Sequence, residues 1–320
     1  MQLDETSINY KKLLIKNSSI ITLILMAIIA ILVSPSFLSL FNITNLLRET
    51  TVIALISAGM TMVLLTGGID LSVGSLIAVG GVFSASMATY GLIPALVLPI
   101  IITSLLGMIS GLLISKIKIQ PFIVTLAMMM AGRGIALVFS NERPIPVQID
   151  SKIYTFIGRG KILKYLPLSV FIMIIIYLAV WYILNQTSLG RNIYAVGGNE
   201  KAVKLMGINV NKVKVVVYTL SGFLAGIAGI IMTSWIGAGS PNAGETYELD
   251  AIASAVIGGT LLTGGSGHIT GTLTGALIMT MIRNVLNLAG VNSWYQWMIK
   301  GLIIIFAVVF QNKMRMKSKN

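Results

Sequence analysis

The chain has 320 residues, 56% of them hydrophobic and only 10% charged, with a net charge of +13, and its mean hydropathy is +0.91. Soluble globular chains carry about 25% charged residues, so this composition excludes a globule covered by water. Cysteine is absent and histidine occurs once, which excludes disulfides, thiolate metal sites and a paired-histidine metal centre.

Windows free of Asp, Glu, Lys and Arg run over 17–47, 71–115, 165–190 and 215–244. About 20 apolar residues cross a bilayer core as a helix, and unbroken apolar runs without period-2 alternation exclude a barrel. In chain order, spans are expected at 20–38, 52–66, 71–89, 94–115, 121–139, 167–184, 215–235, 251–263, 269–288 and 294–310. Turn chemistry separates them at Gly67-Gly68, Gly91 with Pro94, Gly264 to Gly267, and Gly290. The second and eighth spans are short. The expected fold class is an all-α polytopic membrane protein of about ten transmembrane helices. It divides into an N-terminal tail at 1–17, one membrane domain at 18–311 with a long loop at 187–214, and a basic tail at 312–320.

Basic residues orient these spans, because cytoplasmic loops attract Lys and Arg. Lys11, Lys12 and Lys16, the tail with Lys313, Arg315, Lys317 and Lys319, Lys116 and Lys118, and the 187–214 loop all fall on one face. Both termini are therefore expected in the cytoplasm, and the positive charge needs no nucleic acid to explain it. Arg48, Arg143, Lys152, Arg159, Lys161 and Lys164 fall opposite. The basic start before residue 20 reads as a flank of a retained first span rather than a cleaved signal.

The two halves echo one another. Asp70 and Asp250 each follow an apolar span and precede a short apolar segment and a Gly-Gly pair. Gly107 with Gly111 in the fourth span matches Gly271 with Gly275 in the ninth. Five spans separate the members of each pair, so the repeat is inverted, a plan that places a pathway between the halves. The paired glycines let helix backbones approach closely.

No phosphate loop and no nucleophile elbow occurs. His268 has no histidine or cysteine partner and reads as a solvated loop residue. The informative segment is the 187–214 loop. Asn199 is a good N-cap, Glu200 suits the positive end of a following short helix, and Gly207 stops it. Lys201 and Lys204 lie toward its other end, while Ala202, Val203, Leu205 and Met206 offer an apolar side for docking into another protein. Asp70 and Asp250 read either as helix caps or as gating residues, with Ser72 beside the first. Arg133, Arg283 and Lys300 fall inside spans, all toward the outer side. They read either as packed, snorkelling side chains or as donors ringing an outer vestibule, with Asn284 and Asn287 adding hydrogen bonds beside Arg283. An ion-coupled transporter would need intramembrane carboxylates, and only Asp70 and Asp250 offer themselves.

Thr66-Gly67-Gly68-Ile69-Asp70-Leu71-Ser72-Val73-Gly74-Ser75 resembles a signature of the permease subunits of bacterial ATP-binding-cassette importers for ribose and related monosaccharides. Gln120-Pro121-Phe122-Ile123-Val124-Thr125-Leu126, Tyr194-Ala195-Val196-Gly197-Gly198-Asn199-Glu200, Gly207-Ile208-Asn209-Val210-Asn211-Lys212, Tyr247-Glu248-Leu249-Asp250-Ala251-Ile252-Ala253 and Val256-Ile257-Gly258-Gly259-Thr260 resemble it in the same order. Permeases for galactose, xylose and autoinducer-2 share much of this pattern. The resemblance implies a homodimer in a bacterial cytoplasmic membrane, a cytoplasmic ATPase that uses ATP and Mg²⁺, and an extracytoplasmic sugar-binding protein. No cofactor is expected on this chain. It also implies that Glu200, Ala202 and Gly207 belong to the loop that plugs into the ATPase; Lys201 departs from the family's alanine there.

Overall fold

A computed structural model describes residues 18–148, 152–162 and 165–317. The tail at 1–17, with its three lysines, and Lys164 lie outside the described residues. Helices dominate: α1 Ser18–Val33, α2 Leu40–Leu65, α3 Val73–Ala88, α4 Leu92–Ser115, α5 Pro121–Ser140, α6 Lys152–Arg159, α7 Leu168–Gln186, α8 Ser188–Leu205, α9 Val210–Ile236, α10 Tyr247–Ile257, α11 Ile269–Leu288 and α12 Ser293–Lys317. Two-residue strand pairs join Ile145–Pro146 (β1) to Ala238–Gly239 (β4) and Lys161–Ile162 (β2) to Leu166–Pro167 (β3).

Among the described residues, α2, α4, α5, α7, α9 and α11 are long and apolar enough to cross a bilayer. α2 and α9 are largely buried and pack against one another at the centre. α4, α5 and α7 keep much apolar surface exposed, including Ile93, Ile101, Phe122, Ile175 and Leu178. In water such surface would be unfavourable by roughly 25 cal/mol per Å²; against lipid it is the expected outer face.

The second span differs from its expectation. α2 has 26 residues and begins at Leu40, where the Ser39 side chain caps the Asn42 N–H. Its first half carries Arg48 and Glu49, whose charges mimic a loop. Arg48 donates to the Arg159 carbonyl at 3.0 Å and Glu49 accepts from Arg283, so the helix continues through them. The eighth is short as expected: α10 has 11 residues, about 16 Å of helix against the ~30 Å bilayer core. It starts four residues before the expected border and so takes Asp250 into its first turn. The first span stops at Val33, before a 3-10 turn at Pro35–Leu38. The last helix runs on through Lys317, so most of the expected 312–320 tail is helical.

Two local devices hold the packing. Pro99 sits inside α4 and offers no N–H to the Ala95 carbonyl. The Ser84 hydroxyl donates to that carbonyl at 2.8 Å, and buried Tyr154 on α6 hydrogen-bonds to the same Ser84 at 2.7 Å. Glycines set the closest crossing. A Cβ added to Gly107 or Gly222 would lie 2.3 or 2.2 Å from the carbonyl oxygen of Tyr218 or Thr103 on the facing helix, so α4 and α9 meet backbone to backbone. Gly271 and Gly275 do the same for α11 against Gly258 and Ser254 at the end of α10.

Candidate functional site: a docking helix and two buried aspartate clusters

α8 is two helices in one. Asn199 breaks the run with extended backbone, φ −160° and ψ 94°, and its Oδ1 accepts the Ala202 N–H at 3.1 Å. That is the expected N-cap, and Gly207 ends the turn at φ +81°. Glu200 follows the cap and also accepts from Lys214 of α9 at 2.7 Å, a link to the next helix that sequence spacing did not reveal. The apolar side divides. Val203 is buried against the core, Ala202 is half-buried, and Leu205 and Met206 stand out, 90% and 76% exposed. Lys201 and Lys204 are exposed beside them. Val203 therefore roots the helix, and Leu205 with Met206 form the projecting apolar tip.

The root is wedged into the bundle. A Cβ on Gly197 would lie 1.8 Å from the Leu65 carbonyl oxygen and 2.5 Å from the Gly265 nitrogen. Gly265 N–H donates to that same Leu65 carbonyl at 3.0 Å. The Tyr194 phenol donates to the Gly267 carbonyl at 2.9 Å, and partial burial raises its pKa. Three glycine-containing segments, 66–68, 197–198 and 264–267, thus converge where α2 ends and the α10–α11 turn begins. The sequence marks them only as turns; their convergence depends on long-range packing. His268 is exposed at the start of α11, as expected.

Asp70 lies just beyond the end of α2, on the side of this convergence. It is 1% exposed. Its Oδ1 accepts from the Ser72 N–H at 3.0 Å and the Ser72 hydroxyl at 2.6 Å, and its Oδ2 accepts from Ser221 of α9 at 2.7 Å. The carboxylate thus satisfies one backbone N–H just ahead of α3, that of Ser72, which is itself the N-cap residue. No cation pairs with it among the described residues.

Asp250 is no cap. It is also 1% exposed, but it sits inside α10 and accepts from Arg283 of α11 and from Lys300 of α12, the latter at 3.0 Å. Arg283 also donates to Glu49 of α2 at 2.8 Å and lies over the Tyr247 ring at 4.4 Å from its centre. Glu49, Arg283, Asp250 and Lys300 form a buried, formally neutral quartet joining four helices. This corrects the picture of a ring of free donors: Arg283 and Lys300 are 9% and 5% exposed and already hold acids. Asn284 exchanges two hydrogen bonds with Asn42 at 2.8 and 3.0 Å. The Asn287 side-chain oxygen accepts from Gln296 at 2.8 Å. Arg133 stands apart, half-buried, donating to the backbone carbonyls of Pro241 and Ala243. The sequence reading places Arg48 in a loop and does not single out Glu49, whose spacing to Arg283 carries no local signal that could have found the pair.

With six helices long and apolar enough to cross a bilayer among its described residues, the fold is that of a multi-pass helical membrane protein. The chain matches the model of the family described as branched-chain amino acid transport system / permease component over residues 42–308, and it belongs to that family. It is 46% identical to the ribose import permease protein RbsC of Haemophilus influenzae, over 98% of both chains. It is 44% identical to the RbsC protein of Escherichia coli, over 95% of both, and 36% identical to the galactose/methyl galactoside import permease protein MglC of the same organism, over 92% of both. No solved structure matches.

Proposed function

We propose that this chain is the membrane subunit of an ATP-driven importer that moves a monosaccharide, ribose, inward by alternating access. The observation that carries this is the tip Leu205 and Met206 on a helix whose root is wedged between the ends of α2 and the α10–α11 turn. In the proposed assembly two copies of the chain form the pathway, a cytoplasmic cassette ATPase binds and hydrolyses ATP with Mg²⁺, and a sugar-binding protein delivers cargo from outside. ATPase closure displaces the tip. The close contacts of Gly197 leave no slack, so the motion reaches Leu65 and Gly265 directly. From there it bears on the Asp70 turn and on short α10, where this reading puts the gate.

The full-length likeness to ribose permeases at 44–46% supports ribose over the galactose-type cargo of the 36% relative. The quartet is compatible with a neutral sugar, because its two acids and two cations balance one another and leave none of the four for an ionic cargo. The same reading takes ten spans, both termini cytoplasmic and an inverted repeat. Packing supports the repeat: α3 against α4, α5 and α9 has counterparts in α10 against α11, α12 and α2, and α4 on α9 has its counterpart in α11 on α2. Reconstitution with the ATPase and binding protein tests the function. Radiolabelled ribose should accumulate only with ATP, and unlabelled ribose should compete better than galactose or xylose. Accumulation without ATP, or better competition by galactose, would refute the ribose-importer reading.

A further inference from the structure

We propose that a cavity between the α8-side ends of α4 and α9 binds one anionic phospholipid, its phosphate held by Lys116 and Lys212 and its acyl chain lying on Leu112, Val215 and Val216. The cavity measures about 320 Å³. Its origin is local. α4 and α9 touch at Gly107 and Gly111, where an added Cβ on Gly111 would lie 2.8 Å from the Val215 Cα. Next to this contact a space opens between the helices, lined on its apolar side by Leu112, Val215 and Val216. Lys116, Lys212, Asn209 and Asn211 complete the lining.

The charge on that lining is unbalanced. Lys116 and Lys212 form no ion pair among the described residues. No acid occurs between 71 and 141, and Glu200 is the only acid between 151 and 244, already held by Lys214. Lys212 also sits in the first turn of α9, at the positive end of the helix dipole, where a cation is unfavourable. A bound anion reverses that penalty. A free phosphate would satisfy the lysines and leave the apolar side against water. A phospholipid satisfies both, with lysine stems lying along its glycerol region. The inference rests on the bilayer placement of α4 and α9, not on the cargo or the ATPase.

Native mass spectrometry of the purified full-length chain tests it directly, with phosphatidylglycerol and phosphatidylcholine supplied equally. One phosphatidylglycerol should be retained in preference. Lys116→Gln and Lys212→Gln should each weaken that retention about fivefold, whereas Lys152→Gln, at the other end, should not. Both substituted side chains are exposed, so folding is preserved. Equal retention of the two lipids, or undiminished phosphatidylglycerol on the double variant, would overturn the proposal. Saturation by inorganic phosphate without any lipid preference would overturn it in favour of a free-anion site. Unchanged lipid with lost ATPase co-purification in the double variant would assign the surface to protein docking instead.

Discussion

Asp70 and Asp250 are each 1% exposed, yet Asp70 is surrounded by two serine hydroxyls and a backbone N–H, while Asp250 is gripped by an arginine and a lysine. The difference lies in what a displacement costs. Hydroxyls rotate and exchange partners, each bond contributing about 1 kcal/mol net. A buried ion quartet tolerates no loss of a partner, because the survivor is left charged and unsolvated. The end near α8 is thus joined by replaceable hydrogen bonds and glycine contacts, and the far end is clamped.

Removing the clamp should have the largest effect. Asp250→Ala leaves Arg283 and Lys300 with Glu49 alone and should destabilise the protein by about 3–5 kcal/mol, read as lost thermal stability of detergent-purified protein. Replacing the whole quartet, Glu49→Gln with Asp250→Leu, Arg283→Met and Lys300→Met, should restore most of it. If Asp250→Ala melts like the wild type, the two ends do not differ as described.

Gly197→Ala comes next. The new methyl group must displace the Leu65 carbonyl or the Gly265 backbone, an overpacking cost of about 1–3 kcal/mol. Sugar uptake should fall further than stability does. Normal uptake would mean that the root of α8 transmits nothing.

Asp70→Asn should be milder, about 1 kcal/mol, since Oδ1 still accepts from Ser72 and Ser221 can turn to accept from the new amide. A melting shift as large as that of Asp250→Ala would erase the contrast. Glu200→Lys should be mildest for stability, about 0.3–1 kcal/mol from the helix dipole, because the side chain is half exposed. Its effect should appear in ATPase co-purification and uptake; wild-type values in both would remove the docking role.

Much of this was legible from local pattern. The cap at Asn199 and the stop at Gly207 need only the residue types and their spacing, and the structure has both. The shortness of α10 is likewise local. What was hidden was non-local. Charged Arg48 reads as a loop residue and Glu49 carries no mark of its own, because their partners, Arg159 and Arg283, lie more than a hundred residues away. Asp250 lies 33 residues from Arg283 and 50 from Lys300 on separate helices, so local spacing does not mark these pairs either, and the convergence of Gly67, Gly197 and Gly265 exists only once α2, α8 and α11 are packed. Val203 and Leu205 looked alike in sequence; helix rotation alone decides that one roots and the other projects.

The transmission claim is most directly tested by cross-linking, since the native chain is free of cysteine. Leu205→Cys, reconstituted with the cassette ATPase, should form a cross-link to it through a short bis-thiol reagent and be shielded from a water-soluble maleimide. Lys152→Cys, exposed on α6 at the other end of the bundle, should do neither. Free labelling of position 205 with no cross-link to the ATPase would contradict the account.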